Sequence, residues 1–135
     1  MSHGNPGSVW IAEDEWLIAR HMRQTLVAQG YRVERVVRTT SELLAALEPD
    51  RPDVLLLDIS LEARDAGLAL VEREALGRHL RVVFVTAHAD AATQARAHAA
   101  GCADFLVKPF TEAALVRVVA NAMGAPPSER DGRSH

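Results

Sequence analysis

Two runs of uninterrupted apolar residues constrain the fold of this chain more than any other feature. Residues 54–57 read Val-Leu-Leu-Leu and are followed by Asp58, and residues 82–85 read Val-Val-Phe-Val. Strands that are buried on both faces show such continuous runs, and they are typical of parallel sheets in α/β proteins. Functional groups of these sheets collect just beyond the carboxyl ends of the strands, which is where Asp58 falls.

The remaining apolar pattern switches repeatedly between strand and helix spacing. Strands are predicted at residues 9–12, 31–37, 54–57, 81–86 and 103–108, with helices at about 16–29, 40–47, 67–76, 90–100 and 111–123. The second strand carries several charges, which favours an edge position. Right-handed connections between the strands then predict an α/β fold, an open five-stranded parallel sheet with helices on both faces.

Local signals predict where several of these helices begin and end. Gly30 and Gly77 are expected to stop the first and third helices, and Thr40 or Ser41 to cap the second. Asp90 and Thr111 are expected to cap the fourth and fifth helices. The side chains expected in the apolar core include Trp10, Met22, Phe84 and Cys102.

Composition bounds the class of protein. The 135 residues are 48% hydrophobic and 24% charged, as in one soluble globular domain, which we place at residues 9–123. Residues 1–8 are interpreted as an N-terminal tail, native or left by cloning, and residues 124–135 as a flexible tail or the start of a linker. A single cysteine suits a cytoplasmic protein. The formal charge of −3 and the lack of an apolar run near ~20 residues argue against nucleic-acid binding and a membrane span.

Polar groups follow four of the five predicted strands. Glu13 and Asp14 follow the first strand, Asp58 the third, Thr86 the fourth and Lys108 the fifth. Because parallel strands end at one edge of a sheet, these side chains should converge there. Crowded carboxylates repel one another, and a bound divalent cation offsets the electrostatic cost of this repulsion. Oxygen ligands with room for water suit Mg²⁺.

This group of side chains has the chemistry for transferring a phosphoryl group onto a carboxylate. One carboxylate attacks, a metal ion neutralises the phosphoryl oxygens, and a lysine holds another oxygen. The turn after the first strand reads Glu-Asp-Glu, which would repel the phosphates of a nucleotide. The sequence therefore fits neither a P-loop nor a dinucleotide-binding loop.

The order of these motifs resembles that of the receiver domains of two-component response regulators. The resemblance covers about residues 9–123. Its motifs are Glu13-Asp14, Asp58 after an apolar strand, Thr86-Ala87 and Lys108-Pro109-Phe110. It implies the (βα)5 flavodoxin-like receiver fold and a phosphorylation switch in signal transduction, with catalysis limited to its own phosphorylation and dephosphorylation.

The resemblance also implies a role for each site residue. Asp58 resembles the phosphoacceptor and Lys108 the lysine that pairs with the acyl phosphate, ahead of a bond to Pro109 that is often cis. Thr86 resembles the hydroxyl that turns toward the phosphoryl group. Phe105 resembles the aromatic switch behind it, although a plain core aromatic would also fit that position. The implied magnesium ligands are Glu13 (through water), Asp14, Asp58 and the backbone carbonyl of Ser60.

The loop after the phosphoacceptor departs from the usual family pattern. Residues 60–67 lack the proline common there, and the loop is one residue longer than the commonest form, which leaves the geometry of the Ser60 ligand open. Its charges at Glu62, Arg64 and Asp65 are interpreted as a solvated loop. Ser60 and His88 stand where the family tunes access of water, so we hypothesise that they set the lifetime of the acyl phosphate.

The function expected from this resemblance is a stand-alone signalling switch. A sensor histidine kinase or phosphotransfer protein would phosphorylate Asp58 with Mg²⁺ bound. The output would be contact with a downstream protein or a second copy through the fourth helix, fifth strand and fifth helix, including Leu115, Val118 and Val119.

Three alternatives stay open. The chain could be the receiver part of a longer DNA-binding transcriptional regulator, or a protein-binding module that ignores phosphate. A phosphohydrolase with an aspartyl-phosphate intermediate is the third, but it needs a second acid where Ser60 stands.

Overall fold

A five-stranded parallel sheet organises the structure, a computed structural model that describes residues 7–124. The strand order is β2-β1-β3-β4-β5, and every neighbouring pair is parallel. The predicted fold class is therefore confirmed. In chain order the elements are β1 (Ser8–Ala12), α1 (Trp16–Ala28), β2 (Arg32–Val37), α2 (Thr40–Leu47), β3 (Val54–Asp58), α3 (Ala66–Glu74), a 3₁₀ turn (Leu76–Arg78), β4 (Val82–Thr86), α4 (Ala91–Ala99), β5 (Asp104–Val107) and α5 (Glu112–Gly124).

Helices cover both faces of the sheet, which explains the apolar runs of β3 and β4. Leu55, Leu57 and Phe84 pack on the face covered by α2, α3 and α4. Leu56 and Val83 pack on the opposite face, which is covered by α1 and α5. The three interior strands β1, β3 and β4 are buried throughout, whereas β2 lies at an edge of the sheet and buries only its last residue. The edge position predicted for that strand is confirmed.

Three of the four core residues predicted from sequence are fully buried, and the fourth, Cys102, is partly buried. Trp10, Met22 and Phe84 are fully buried. Trp10 also satisfies its indole N–H, which donates to Oε1 of Glu34 at 3.1 Å. Cys102 is only half-buried and packs at the border of the core. Burial, helped by the charge of nearby Asp104, raises the pKa of its thiol to about 11, so it stays protonated.

Two helix boundaries differ from those predicted. The cap of α2 is Thr39, whose hydroxyl accepts from the backbone N–H of Glu42, so the prediction of Thr40 or Ser41 was wrong by one residue or more. Helix α3 ends where Ala75 adopts a left-handed conformation with φ 52°, before Gly77. Gly77 lies in the 3₁₀ turn, where a β-carbon would overlap the carbonyl oxygen of Ala100. Gly77 is thus explained by a close approach and not by a helix stop.

The other predicted helix signals hold. Gly30 follows α1 with φ 94°, a conformation that favours glycine. Asp90 accepts from the N–H of Thr93 at 2.7 Å at the start of α4. The hydroxyl of Thr111 accepts from the N–H of Ala114 at 3.0 Å at the start of α5.

The first strand and the last helix each extend one residue beyond the predicted limits of the domain. Ser8, which we assigned to the tail, begins β1. Its backbone N–H donates to Oδ2 of Asp53 at 2.8 Å, and its hydroxyl oxygen accepts from the backbone N–H of Asp53 at 3.0 Å. Gly124 is the last residue of α5. The remaining tail residues, 1–6 and 125–135, lie outside the described part of the chain. Between residues 7 and 124, no helix combines the length and hydropathy needed to cross a bilayer.

One predicted contact surface is corrected by the packing of α5. Leu115, Val118 and Val119 were proposed as an apolar face for a partner, but all three are buried against the sheet. Val107 of β5, by contrast, remains 41% exposed. The apolar stripe of α5 is therefore part of the core and not the partner surface that was predicted.

Candidate functional site

The carboxyl ends of four strands bring the predicted side chains to one cleft. Asp58 and Thr86 are the last residues of β3 and β4, while Glu13 and Lys108 directly follow β1 and β5. Carboxylate oxygens of Glu13, Asp14 and Asp58 all lie within 4.8 Å of one another. The cleft above them measures about 370 Å³. It is lined by Asp14, Glu15, Asp58, Ser60, Thr86, Ala87, His88 and Lys108.

The ammonium group of Lys108 lies among three carboxylates. Its Nζ is 3.0 Å from Oε1 of Glu13, 3.4 Å from Oδ2 of Asp58 and 3.6 Å from Oε2 of Glu15. The backbone N–H of Lys108 donates to the carbonyl of Thr86 at 2.7 Å, which fixes where its side chain starts. Glu15 was not predicted as a site residue, and the acidic triplet that contains it was the only signal in the sequence.

Among the carboxylates of the site, Glu13 lies in the environment least favourable to its negative charge. It is 1% exposed, and burial together with the negative charge of Asp58 raises its pKa to about 7, although Lys108 acts in the opposite direction. Its Oε2 accepts from the N–H of Glu15 at 3.1 Å. Its Oε1 receives no aligned hydrogen bond from any described residue, so its contact with Lys108 is an ion pair by distance alone.

Lys108 stays charged in this setting. Burial by itself lowers the pKa of a lysine, but the contact with Glu13 and the charges of Asp58 and Glu15 outweigh burial and raise the pKa of Lys108. One cation therefore offsets several carboxylates, and the cleft keeps an excess of negative charge at neutral pH.

The acidic cluster fits a divalent cation. Glu13 presents a buried oxygen without an aligned donor, and two further carboxylates present oxygens within the same 4.8 Å cluster. Oxygen ligands of this charge, beside an open cleft that admits water, are the set that Mg²⁺ prefers in proteins. The residues present therefore suit the ion that the sequence predicted.

Asp58 is held by the loop that follows it. Its Oδ1 accepts from the backbone N–H of Ser60 at 2.9 Å. The hydroxyl of Ser60 in turn accepts from the N–H of Asp65 at 3.1 Å, which closes the loop on itself. Ser60 stands two residues after Asp58, where the phosphohydrolase alternative would need a second acid.

Two of the charges of this loop, both accessible to solvent, also make specific contacts that the sequence did not predict. Oε1 of Glu62 accepts from both the N–H and the hydroxyl of Thr40, at 2.6 and 2.9 Å. The carboxylate of Asp65 lies 3.6 Å from Arg96 of α4, which also binds Glu72 through two hydrogen bonds. Arg64 is exposed, as expected. The sequence signalled only that the loop was unusually long.

The hydroxyl of Thr86 is held by its own loop and is not hydrogen-bonded to Asp58. It is 2% exposed, and its Oγ1 accepts from the N–H of His88 at 2.9 Å and donates to the carbonyl of His88 at 3.2 Å. The side chain of His88 is exposed at the rim of the cleft. Phe105 is half-buried and packs against the core cluster beneath α3 and α4. The Lys108–Pro109 peptide is cis.

The chain is similar in sequence to proteins of bacterial signalling. A model of the response regulator receiver domain matches residues 9–120. The DNA-binding transcriptional regulator NtrC of Salmonella typhimurium is 35% identical over 119 residues, which are 87% of this chain and 25% of that protein. The transcriptional regulatory protein PdtaR of Mycobacterium tuberculosis is 31% identical over 114 residues, 84% of this chain and 55% of that protein. The chain thus spans about a quarter to about half of these relatives.

Solved structures show the same fold. The signal receiver domain of a modulated diguanylate cyclase from Desulfovibrio desulfuricans G20 superposes with a TM-score of 0.75 at 32% identity, covering 87% of this chain and 93% of that one. A CheY-like response regulator receiver domain protein from Methanospirillum hungatei JF-1 gives 0.76 at 25% identity, covering 93% and 98%. The similarity in sequence and in structure is consistent with the acidic cleft at the strand ends. The chain belongs to the response regulator receiver domain family, whose members are signalling switches that typically bind Mg²⁺ at an acidic site.

Proposed function

We propose that this chain is a phosphorylation-dependent switch that accepts a phosphoryl group on Asp58 from a sensor histidine kinase or a phosphotransfer protein. The observation that carries the proposal is the position of Asp58. Its carboxylate opens into the cleft beside two further carboxylates, and Lys108 lies 3.4 Å away. A cytoplasmic place of action is part of the proposal, since the free thiol of Cys102 suits a reducing compartment.

The side chains divide the work of phosphoryl transfer among them. A carboxylate oxygen of Asp58 attacks the phosphorus of a phosphohistidine, the phosphorus–nitrogen bond breaks, and the imidazole leaves. Lys108, which stays charged, holds one phosphoryl oxygen. A Mg²⁺ ion held by Glu13, Asp14, Asp58 and the Ser60 carbonyl would neutralise the remaining oxygens. The chemistry ends with hydrolysis of the acyl phosphate, which restores Asp58.

Thr86 is the proposed link between this chemistry and the surface. Its hydroxyl has to give up two hydrogen bonds with His88 before it can turn toward a phosphoryl group. That exchange would move the loop that leads into α4, and Phe105 packs beneath α4 on the same core cluster. The changed surface of α4 and β5, including exposed Val107, would then bind a downstream protein or a second copy.

Intact-mass spectrometry after incubation with acetyl phosphate and Mg²⁺ tests the acceptor. Wild type and Asp50→Asn, an exposed aspartate far from the cleft, should each gain one phosphoryl group, and Asp58→Asn should gain none. An adduct on Asp58→Asn would reject the assigned site. Wild type that stays unmodified would favour the phosphate-independent binding module instead.

A second arrangement of the same switch is favoured by the length of the relatives. NtrC is about four times as long as the matched region and is named as DNA-binding. In that arrangement the chain would be the receiver part of a longer transcriptional regulator, and its output would be a covalently attached domain. The native open reading frame distinguishes the two arrangements.

A further inference from the structure

Glu62 makes two sets of contacts that join the loop after Asp58 to the acidic cluster. Its backbone N–H donates to Oδ2 of Asp14 at 3.1 Å. Its side-chain Oε1 accepts from the N–H and hydroxyl of Thr40, the first residue of α2, at 2.6 and 2.9 Å. One residue therefore contacts a member of the acidic cluster with its backbone and a neighbouring helix with its side chain.

The backbone conformation of Glu62 requires such an anchor. Its φ is 72°, in the left-handed region that residues with a β-carbon adopt only when surrounding contacts hold them there. The anchoring partner is suitable, because the N-terminus of a helix carries free N–H groups and partial positive charge, which a carboxylate satisfies. The two hydrogen bonds to Thr40 are therefore the contacts that can maintain this unusual conformation.

Capping of α2 alone does not account for Glu62. The helix already has a cap in Thr39, whose hydroxyl accepts from the N–H of Glu42 at 3.0 Å. The carboxylate of Glu42 also accepts from the backbone N–H of Arg38 at 2.7 Å, just before the cap residue. Glu62 adds a contact from another loop, 22 residues along the chain from Thr40, so its additional effect is on the loop.

We propose that Glu62 is a positioning residue for Asp14: its side chain, fixed on α2, aims its backbone N–H at the Asp14 carboxylate and holds that carboxylate in the acidic cluster for the cation. Asp14 is only partly buried, and two other carboxylates repel it toward solvent. The N–H of Glu62 opposes this repulsion. The inference rests on the magnesium role assigned to the cluster under the proposed function.

Titration calorimetry with MgCl₂ tests the proposal. Glu62→Ala should bind Mg²⁺ about tenfold more weakly, the usual size of the loss when a group supporting a metal ligand is removed. Glu62→Gln keeps an oxygen that can accept from Thr40 and should restore most of the affinity. Thr40→Val, which removes only one of the two donors, should give an intermediate loss. Glu48→Ala removes the same charge at the other end of α2 and should bind as wild type does.

Hydrogen exchange of the Glu62 amide in metal-free protein supplies a second readout, one that does not depend on the ion. The amide should exchange slowly in wild type and Glu62→Gln, and the corresponding amide of Glu62→Ala should exchange rapidly. Wild-type Mg²⁺ affinity in a folded Glu62→Ala would overturn the positioning role. If wild type itself bound no Mg²⁺, the magnesium role of the proposed function would be rejected, and this inference with it.

Discussion

Nζ of Lys108 lies 3.4 Å from Oδ2 of Asp58, although the two residues are 50 positions apart in the chain. They meet because β3 and β5 run parallel on either side of β4 and end at the same edge of the sheet. In this position, Nζ of Lys108 also lies 3.0 Å from Oε1 of Glu13. The charge balance of the cleft therefore depends on this one ammonium group and on whatever cation the carboxylates bind.

Lys108 is the only lysine in the chain, which makes its charge state directly measurable. Isotopic labelling of lysine should give a single side-chain ammonium signal in NMR spectra. Its pKa should lie above the ordinary value of 10.5, because nearby carboxylates outweigh burial. Asp58→Asn and Glu13→Gln should each lower that pKa, since each removes a negative charge within 3.4 Å. Glu112→Gln, on the surface of α5, serves as the control, and equal pKa values in all four proteins would contradict the described charge cluster.

The raised pKa of Glu13 predicts a stability that falls with pH in the absence of metal. Its ordinary pKa is 4.5 and its value in the folded protein is about 7. Between these values the unfolded chain loses the proton while the folded protein retains it, so the free energy of unfolding decreases as pH rises. Relative to Glu13→Gln, wild type in EDTA should lose roughly 2 kcal/mol between pH 4.5 and 7. Urea unfolding across this range measures it, and parallel pH profiles for the two proteins would refute it.

Gly67 packs closely against the backbone of Asp58, the proposed phosphoacceptor, and should not tolerate a side chain. Its N–H donates to the carbonyl of Ile59 at 2.7 Å, and a β-carbon on Gly67 would overlap the carbonyl oxygen of Asp58. Gly67→Ala should therefore cost at least about 2 kcal/mol of unfolding free energy and slow phosphorylation by acetyl phosphate. Gly124→Ala is the matched control, because no atom of residues 7–124 lies within 4 Å of its added carbon. Equal stability of the two variants would argue against the close approach.

Ser60 and His88 should set the lifetime of the acyl phosphate. The His88 side chain is exposed at the rim of the cleft, and the Ser60 hydroxyl closes the loop by accepting from the N–H of Asp65. Truncating either one opens the cleft to water, so hydrolysis in His88→Ala and Ser60→Ala should accelerate several-fold. His79→Ala, an exposed histidine away from this cleft, should decay as wild type does. The decay of the phosphorylated mass with time measures these rates, and similar decay in His88→Ala, Ser60→Ala and wild type would exclude the hypothesis.

The sheet and the set of side chains at its edge were predictable because both follow from short-range pattern. A strand buried on both faces needs continuous apolar residues, as at Leu55 to Leu57, whichever helices cover it. Residues that directly follow parallel strands must share an edge, so the convergence of Glu13, Asp58 and Lys108 required no knowledge of side-chain packing. The roles given to these residues in phosphorylation remain predictions.

Details that depend on distant contacts were not predictable. The apolar stripe of α5 at Leu115 and Val118 was interpreted as a partner surface, because a periodic pattern does not say which side of a helix faces the sheet. Gly77 was interpreted as a helix stop, yet the need for glycine there is explained by the carbonyl of Ala100, which a side chain would overlap and which lies far along the chain. The hydrogen bonds between Glu62 and Thr40 were not predicted, since nothing in the sequence links the two residues.

The sequence by itself determined the fold, the edge where the functional groups lie and the family of the chain, because apolar periodicity and the order of strand-end residues are local properties. Only the tertiary structure decided the raised pKa of Glu13, the hydrogen bonds between Thr86 and His88, and the hydrogen bonds of Glu62 to the start of α2. These features arise from burial and from contacts between segments that are remote in sequence, and those become defined only when the strands and loops pack together.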